Sequence, residues 1–91
     1  MKASGWIDRV KKVRGWESDY RVAKELGVGR ATVSRYRSHD GTLDETMSIR
    51  VAKALGERPE AVVLDQCAER VKNADVRSAL SQAARNLCIL C

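Results

Sequence analysis

Apolar residues recur at helical spacing throughout the chain, and no segment alternates apolar and polar residues as a half-buried strand would. One face of the first segment, for example, carries Trp6, Ile7, Val10 and Val13. Glycine follows three of the segments, as a helix-ending residue would, at Gly15, Gly27 and Gly56. The pattern predicts an all-α fold with five or six helices around one core.

Capping residues and the apolar pattern together predict where the helices begin. The expected first turns lie near Ser4, Ser18, Arg30, Thr42, Pro59 and Val76. Thr42 and Glu45 have the spacing of a capping box, in which a hydroxyl and a carboxylate each accept from a free backbone N–H group. The third helix is expected to end near Arg37, before a polar loop at 38–41. A break at 73–75 is expected before the sixth helix.

Basic residues are concentrated in the first part of the chain. Residues 1–39 contain ten Lys or Arg and four Asp or Glu, whereas residues 40–91 contain seven basic and eight acidic residues. The net charge of +5 therefore arises wholly from the first part. Such asymmetry favours a polyanion as partner, with a merely solvated basic face as the alternative. The 91 residues leave room for one domain, 1–91, and not for a second compact unit.

Membrane and secreted classes are disfavoured. No apolar run approaches the ~18 residues of a membrane span, and residues 1–10 lack the apolar stretch of a secretory signal. We therefore expect a cytoplasmic protein with no membrane partner.

The cysteines are odd in number, which argues against a disulfide scaffold. Cys88 and Cys91 have the spacing of half a zinc site, but a closed site would also need Cys67 and His39. Free thiols without a metal or cofactor are the better interpretation, and a redox switch is the alternative.

Catalysis is also disfavoured. Ser38, His39 and Asp40 supply the residue types of a hydrolase triad, but consecutive side chains do not generally form its nucleophile–base–orienter arrangement. The chain has no glycine-rich phosphate loop. We expect no catalytic residues and no enzyme.

The stretch from Asp19 to Ser38 carries the most information about function. It reads DYRVAKELGVGRATVSRYRS, which predicts two short amphipathic helices separated by residues 27–29. The residues spaced to form a small shared core are Val22, Leu26, Val28, Val33 and Tyr36. The outer surface of the second helix then carries arginines and short side chains, a combination that fits a DNA major groove.

This stretch resembles the helix-turn-helix of the lambda-repressor-like DNA-binding domains. The resemblance is carried by Val22, Ala23, Leu26, Gly27, Val28, Val33 and Tyr36. It continues more coarsely through VAKALG at 51–56, so that residues 4–56 form the matched core and 57–91 are further C-terminal helices. It implies a small phage-like or bacterial transcriptional regulator, a repressor that binds double-stranded DNA operator half-sites with the helix at 30–37.

The resemblance also implies roles for single residues. Base contacts fall on Arg30, Ala31, Thr32, Ser34 and Arg35. Contacts with the DNA backbone fall on Ser18, Tyr20, Lys24, Arg37 and Ser38. The family often has Gln at the positions of Asp19 and Arg30, where the two side chains brace each other. In this chain we expect an ion pair between these two residues in place of that brace.

The last helix carries a wide apolar stripe. Its heptad-like seam consists of Val76, Leu80, Ala83, Leu87 and Leu90. We expect a homodimer through Leu80, Leu87 and Leu90, because a domain of this kind usually reads two half-sites. One alternative is that helices one and five cover the stripe within the monomer. The other is an antitoxin-type module in which residues 57–91 bind a toxin.

Overall fold

The computed structural model describes residues 1–39 and 41–87, and in these ranges helices are the only regular structure. The six helices are α1 (Ala3–Arg14), α2 (Asp19–Leu26), α3 (Arg30–His39), α4 (Glu45–Leu55), α5 (Pro59–Arg70) and α6 (Ala74–Leu87). The all-α expectation is confirmed for this part of the chain. None of these helices is long and apolar enough to span a membrane.

The core lies mainly among α1 to α4, and Val62 of α5 also packs in it. Its large, fully buried apolar side chains include Trp6, Ile7, Leu43, Val10, Val22, Val33 and Val51. Ala23 is also buried, and its small side chain suits the close packing of α2 on α3. Val13, expected on the buried face of the first helix, is 49% exposed, because the core ends at Val10 and the chain turns away at Gly15.

Three helices end as predicted, at left-handed glycines. Gly15, Gly27 and Gly56 have φ angles of 69°, 72° and 73°, a region that glycine enters without a Cβ penalty. Ser18 caps α2, as expected, and Pro59 lies in the first turn of α5.

Two helix caps were predicted wrongly, and a third helix starts earlier than predicted. α1 begins at Ala3 after Lys2, with no side-chain cap, so Ser4 lies inside the helix. At α4 the cap is Asp44, whose Oδ1 accepts from the Met47 N–H at 2.8 Å, and the expected Thr42 capping box is absent. The reason is that the N–H of buried Leu43 donates to Gln66 Oε1 at 2.7 Å, which fixes this residue before the helix.

The helix that starts earlier than predicted is α6. Asn73 Oδ1 accepts from the N–H groups of Asp75 and Val76, so the helix starts at Ala74 and the expected break is shorter. The polar loop expected at 38–41 is shorter too, because α3 continues through His39. Ser38 Oγ donates to the Ser34 carbonyl at 3.1 Å in that last turn.

α6 packs against α5, with no comparable contact to α1 in the described ranges. Ala84 is buried in this contact, Leu80 and Leu87 are half-buried, and Val76 is 46% exposed. Leu90, which we predicted to lie in a dimer interface, is outside the described residues. The predicted seam is therefore partly covered by α5 and partly open.

A polar junction joins the start of the chain to α5. The Met1 amine donates to Asp65 at 3.0 Å and to Glu69 at 2.7 Å, and the Trp6 indole N–H donates to Asp65 at 2.9 Å. Fully buried Gln66 donates to the Met1 carbonyl at 2.6 Å. The hydrogen bond from the amine holds the pKa of the Glu69 carboxyl below its ordinary value.

Candidate nucleic-acid interface

α2 and α3 pack on each other across a tight turn at 27–29. Ser18 Oγ accepts from the Arg21 N–H at 3.1 Å at the start of α2. At its end, the Val28 N–H donates to the Ala23 carbonyl at 2.9 Å. Val33 and Tyr36 are buried on the inner side of α3. The inner side of α3 is thereby fixed and the opposite side faces solvent.

The predicted base-contact residues occupy the solvent side of α3. Arg30, Ala31, Ser34 and Arg35 are exposed, and Thr32 is half-buried. Neither arginine has a carboxylate within ion-pair distance among the described residues, so both guanidinium groups keep their charge available. Short side chains between the two leave room for close approach to a ligand surface.

Arg30 contacts Tyr20 and not Asp19. Its guanidinium carbon lies 5.1 Å from the centroid of the Tyr20 ring, within the range of a cation–π contact. Tyr20 is 58% exposed, so the contact lies on the protein surface. The expected ion pair between Asp19 and Arg30 is therefore wrong, because Asp19 is engaged elsewhere.

Asp19 pairs with the other end of α3. Its carboxylate accepts from Nε and Nη2 of Arg37, both at 2.9 Å, and from Lys11 Nζ at 3.2 Å. Arg37 Nη2 also lies 2.8 Å from Asp8. Hydrogen bonds from Arg37, reinforced by Lys11, hold the pKa of the Asp19 carboxyl below its ordinary value, while Asp19 and then Asp8 raise the pKa of Arg37. Arg37 thus ties α3 to both α1 and α2.

The remaining predicted backbone-contact residues lie on the surface. Ser18, Tyr20 and Lys24 are exposed along α2, and Ser38 is exposed at the end of α3. Arg37, predicted to touch phosphate, is half-buried in its ion pairs. Ser18, Tyr20 and Lys24 therefore lie exposed at or along α2, whereas the guanidinium of Arg37 is held in ion pairs within the protein.

Arg50 was missed by the sequence reasoning. Its Nη1 donates to the carbonyls of Leu26 at 3.0 Å and Gly27 at 3.3 Å, which braces the turn before α3 from α4. No local pattern signals this contact, because the partners are more than twenty residues apart in sequence.

Within 1–39 and 41–87, no three His, Cys, Asp or Glu side chains are grouped to hold a metal ion. Cys67 is a free, half-buried thiol. Cys88 and Cys91, and the Asp40 of the expected triad-like sequence, lie outside the described residues.

Comparison with protein-family models, with curated proteins and with solved structures finds no match to this chain.

Proposed function

We propose that this protein binds double-stranded DNA sequence-specifically, through a lambda-repressor-like helix-turn-helix formed by α2 and α3 within residues 4–56. The observation that carries the proposal is the two-sided character of α3. Val33 and Tyr36 anchor one side in the core, whereas the other side presents Arg30, Ser34 and Arg35 to solvent. A rigidly held helix with arginines and short polar side chains suits the major groove.

The arginines supply direct readout in this proposal. A guanidinium can donate two hydrogen bonds to O6 and N7 of guanine, and Arg30 and Arg35 are the side chains assigned to that task. Ala31, Thr32 and Ser34 lie between them and approach the base edges. The helix needs a fixed orientation for such contacts, and the ion pairs of Arg37 with Asp8 and Asp19 supply it.

Contacts with the DNA backbone position the protein without reading sequence. We assign them to Ser18 and Lys24 on α2 and to Ser38 on α3, all of which are exposed. We do not assign a phosphate contact to Arg37, because its guanidinium is already paired with the carboxylates of Asp8 and Asp19.

The biological role that we propose is transcriptional regulation in a phage-like or bacterial setting, by occupation of an operator. One recognition helix reads only a few base pairs, so two copies would read half-sites about 34 Å apart along the duplex. We assign the pairing surface to α6, through Leu80, Leu87 and Leu90. Sedimentation at micromolar concentration tests this assignment, and a monomer both free and on DNA would contradict it.

The experiment that tests DNA recognition begins with selection of the preferred duplex by the purified chain. Arg35→Ala should then lose about 1–3 kcal/mol of binding free energy on that duplex and relax discrimination at one base pair. Lys24→Ala is the matched control and should weaken all duplexes alike. An Arg35→Ala protein with unchanged base preferences would contradict the assignment of α3, and a wild-type chain that selects no duplex would refute the function.

A further inference from the structure

Tyr20 and Arg30 form a contact whose chemistry differs from that of an ion pair. The Arg30 guanidinium lies over the Tyr20 ring, with 5.1 Å between its carbon and the ring centroid. A ring accepts the cation through its π face, so the contact needs no N–H group of the guanidinium. A carboxylate partner would instead accept from one or two of those groups and neutralise the charge.

The acid that could have neutralised Arg30 is occupied. Both carboxylate oxygens of Asp19 accept hydrogen bonds from Arg37, and one also accepts from Lys11. Among the described residues, the Arg30 guanidinium therefore has an orienting partner and no carboxylate. Its donors remain available to a ligand while its position is restricted.

We infer that Tyr20 positions Arg30 to recognise a guanine, and that it does so in place of the phosphate contact expected for this tyrosine. The inference rests on the proposed function, since it assigns a base to one residue of the proposed interface. Tyr20 is a positioning residue in this scheme, and Arg30 is the residue that touches DNA.

The comparison with Arg35 gives the physical reason. Arg35 is exposed, with no ring or carboxylate partner among the described residues, so its side chain must lose rotamer freedom when it meets a base. Arg30 already occupies a restricted position in the free protein, which reduces that loss on binding. The base pair read by Arg30 should consequently be discriminated more sharply because Tyr20 is present.

The test uses the full chain and the duplex that it selects, with each base pair replaced in turn as competitor. Arg30→Ala identifies the base pair that depends on Arg30. Tyr20→Leu should reduce discrimination at that same base pair by about two- to fivefold and leave the other positions unchanged. Tyr20→Phe keeps the ring and should behave as wild type. In the Arg30→Ala background, Tyr20→Leu should have no further effect on discrimination.

Several outcomes would overturn the inference. If Tyr20→Phe and Tyr20→Leu both weaken every duplex equally, the tyrosine hydroxyl contacts phosphate. If Arg30→Ala changes no base preference while Arg35→Ala does, DNA recognition stands but Arg30 has no base to read. If wild type shows no preference among duplexes, the proposed function itself fails. Thermal melting of each variant checks folding, which exposed Tyr20 should not affect.

Discussion

The Asp19 carboxylate of α2 forms ion pairs with Lys11 of α1 and Arg37 of α3. Asp19→Asn should lower the free energy of unfolding by about 0.5–1.5 kcal/mol at neutral pH, since the carboxylate is partly exposed and its ion pairs are screened. The exposed Glu60→Gln variant is the control, and urea unfolding is the measurement.

The same pair predicts a pH dependence. Because Arg37 lowers the pKa of Asp19 in the folded protein, the pair stabilises above the ordinary pKa of an aspartate. That stability is lost as pH falls through the lowered value. Wild type and Asp19→Asn should therefore converge in strong acid, and a difference that stays constant from neutral to acidic pH would count against the ion pair.

Ser48 and Gln66 are buried polar residues that differ in whether their side chains form hydrogen bonds. Both are fully buried, but Ser48 Oγ has no hydrogen-bond partner among the described residues, whereas Gln66 bonds to Leu43, Met1 and Asp65. Ser48→Ala should raise the free energy of unfolding by up to about 1 kcal/mol, because it removes an unsatisfied hydroxyl from a helix. Gln66→Leu should lower it by about 2–4 kcal/mol. Equal losses in both variants would contradict the hydrogen-bond assignment.

At the scale of single elements, α6 begins at a side-chain cap. Asn73 accepts from two N–H groups of the first turn, and in the described ranges α6 packs mainly against α5. Asn73→Ala should lower the stability of α6 by about 1 kcal/mol. Amide hydrogens in α6 should then exchange faster, with little change in α1 to α4. Ser78→Ala, exposed on the same helix, is the control. Uniformly faster exchange in every helix would show that α6 does not open separately.

Helix ends were easier to predict than helix starts. A left-handed C-terminal residue has one strong sequence signal, glycine, and this succeeded at α1, α2 and α4. Capping side chains are common, and the residue that caps α4 is Asp44 and not the predicted Thr42. The choice was decided by Leu43, whose N–H bonds to a residue 23 positions away. Such a contact has no local signature.

In the candidate site, too, features set by neighbouring residues were predicted and contacts between helices were not. Periodicity predicted which side of α3 would be buried, because it depends only on spacing within one helix. The partners of its arginines were predicted wrongly or not at all. Arg37 reaches Asp19 across 18 residues and Arg30 reaches Tyr20, and both contacts depend on how α3 lies across α2.

For the whole molecule, the proposed DNA binding and the excess positive charge of residues 1–39 together predict that affinity for DNA depends strongly on salt concentration. With roughly 4–8 phosphate contacts for the proposed dimer, the logarithm of the association constant should fall with the logarithm of salt concentration at a slope of about −4 to −7. Titration of a random duplex at several salt concentrations measures this slope. Affinity that barely changes with salt would show that the basic surface is only solvated.

The polar junction between the start of the chain and α5 has a consequence for the order of assembly. Its hydrogen bonds join residues 59 to 68 positions apart, so their formation must overcome the entropy of closing most of the chain. The partners within α2 and α3 are much nearer in sequence and can meet early. During synthesis, Trp6 leaves the ribosome long before Asp65 exists, and its indole N–H has no native acceptor until α5 emerges. We therefore expect α2 and α3 to associate first, while α1 reaches its final place only when the second half of the chain arrives.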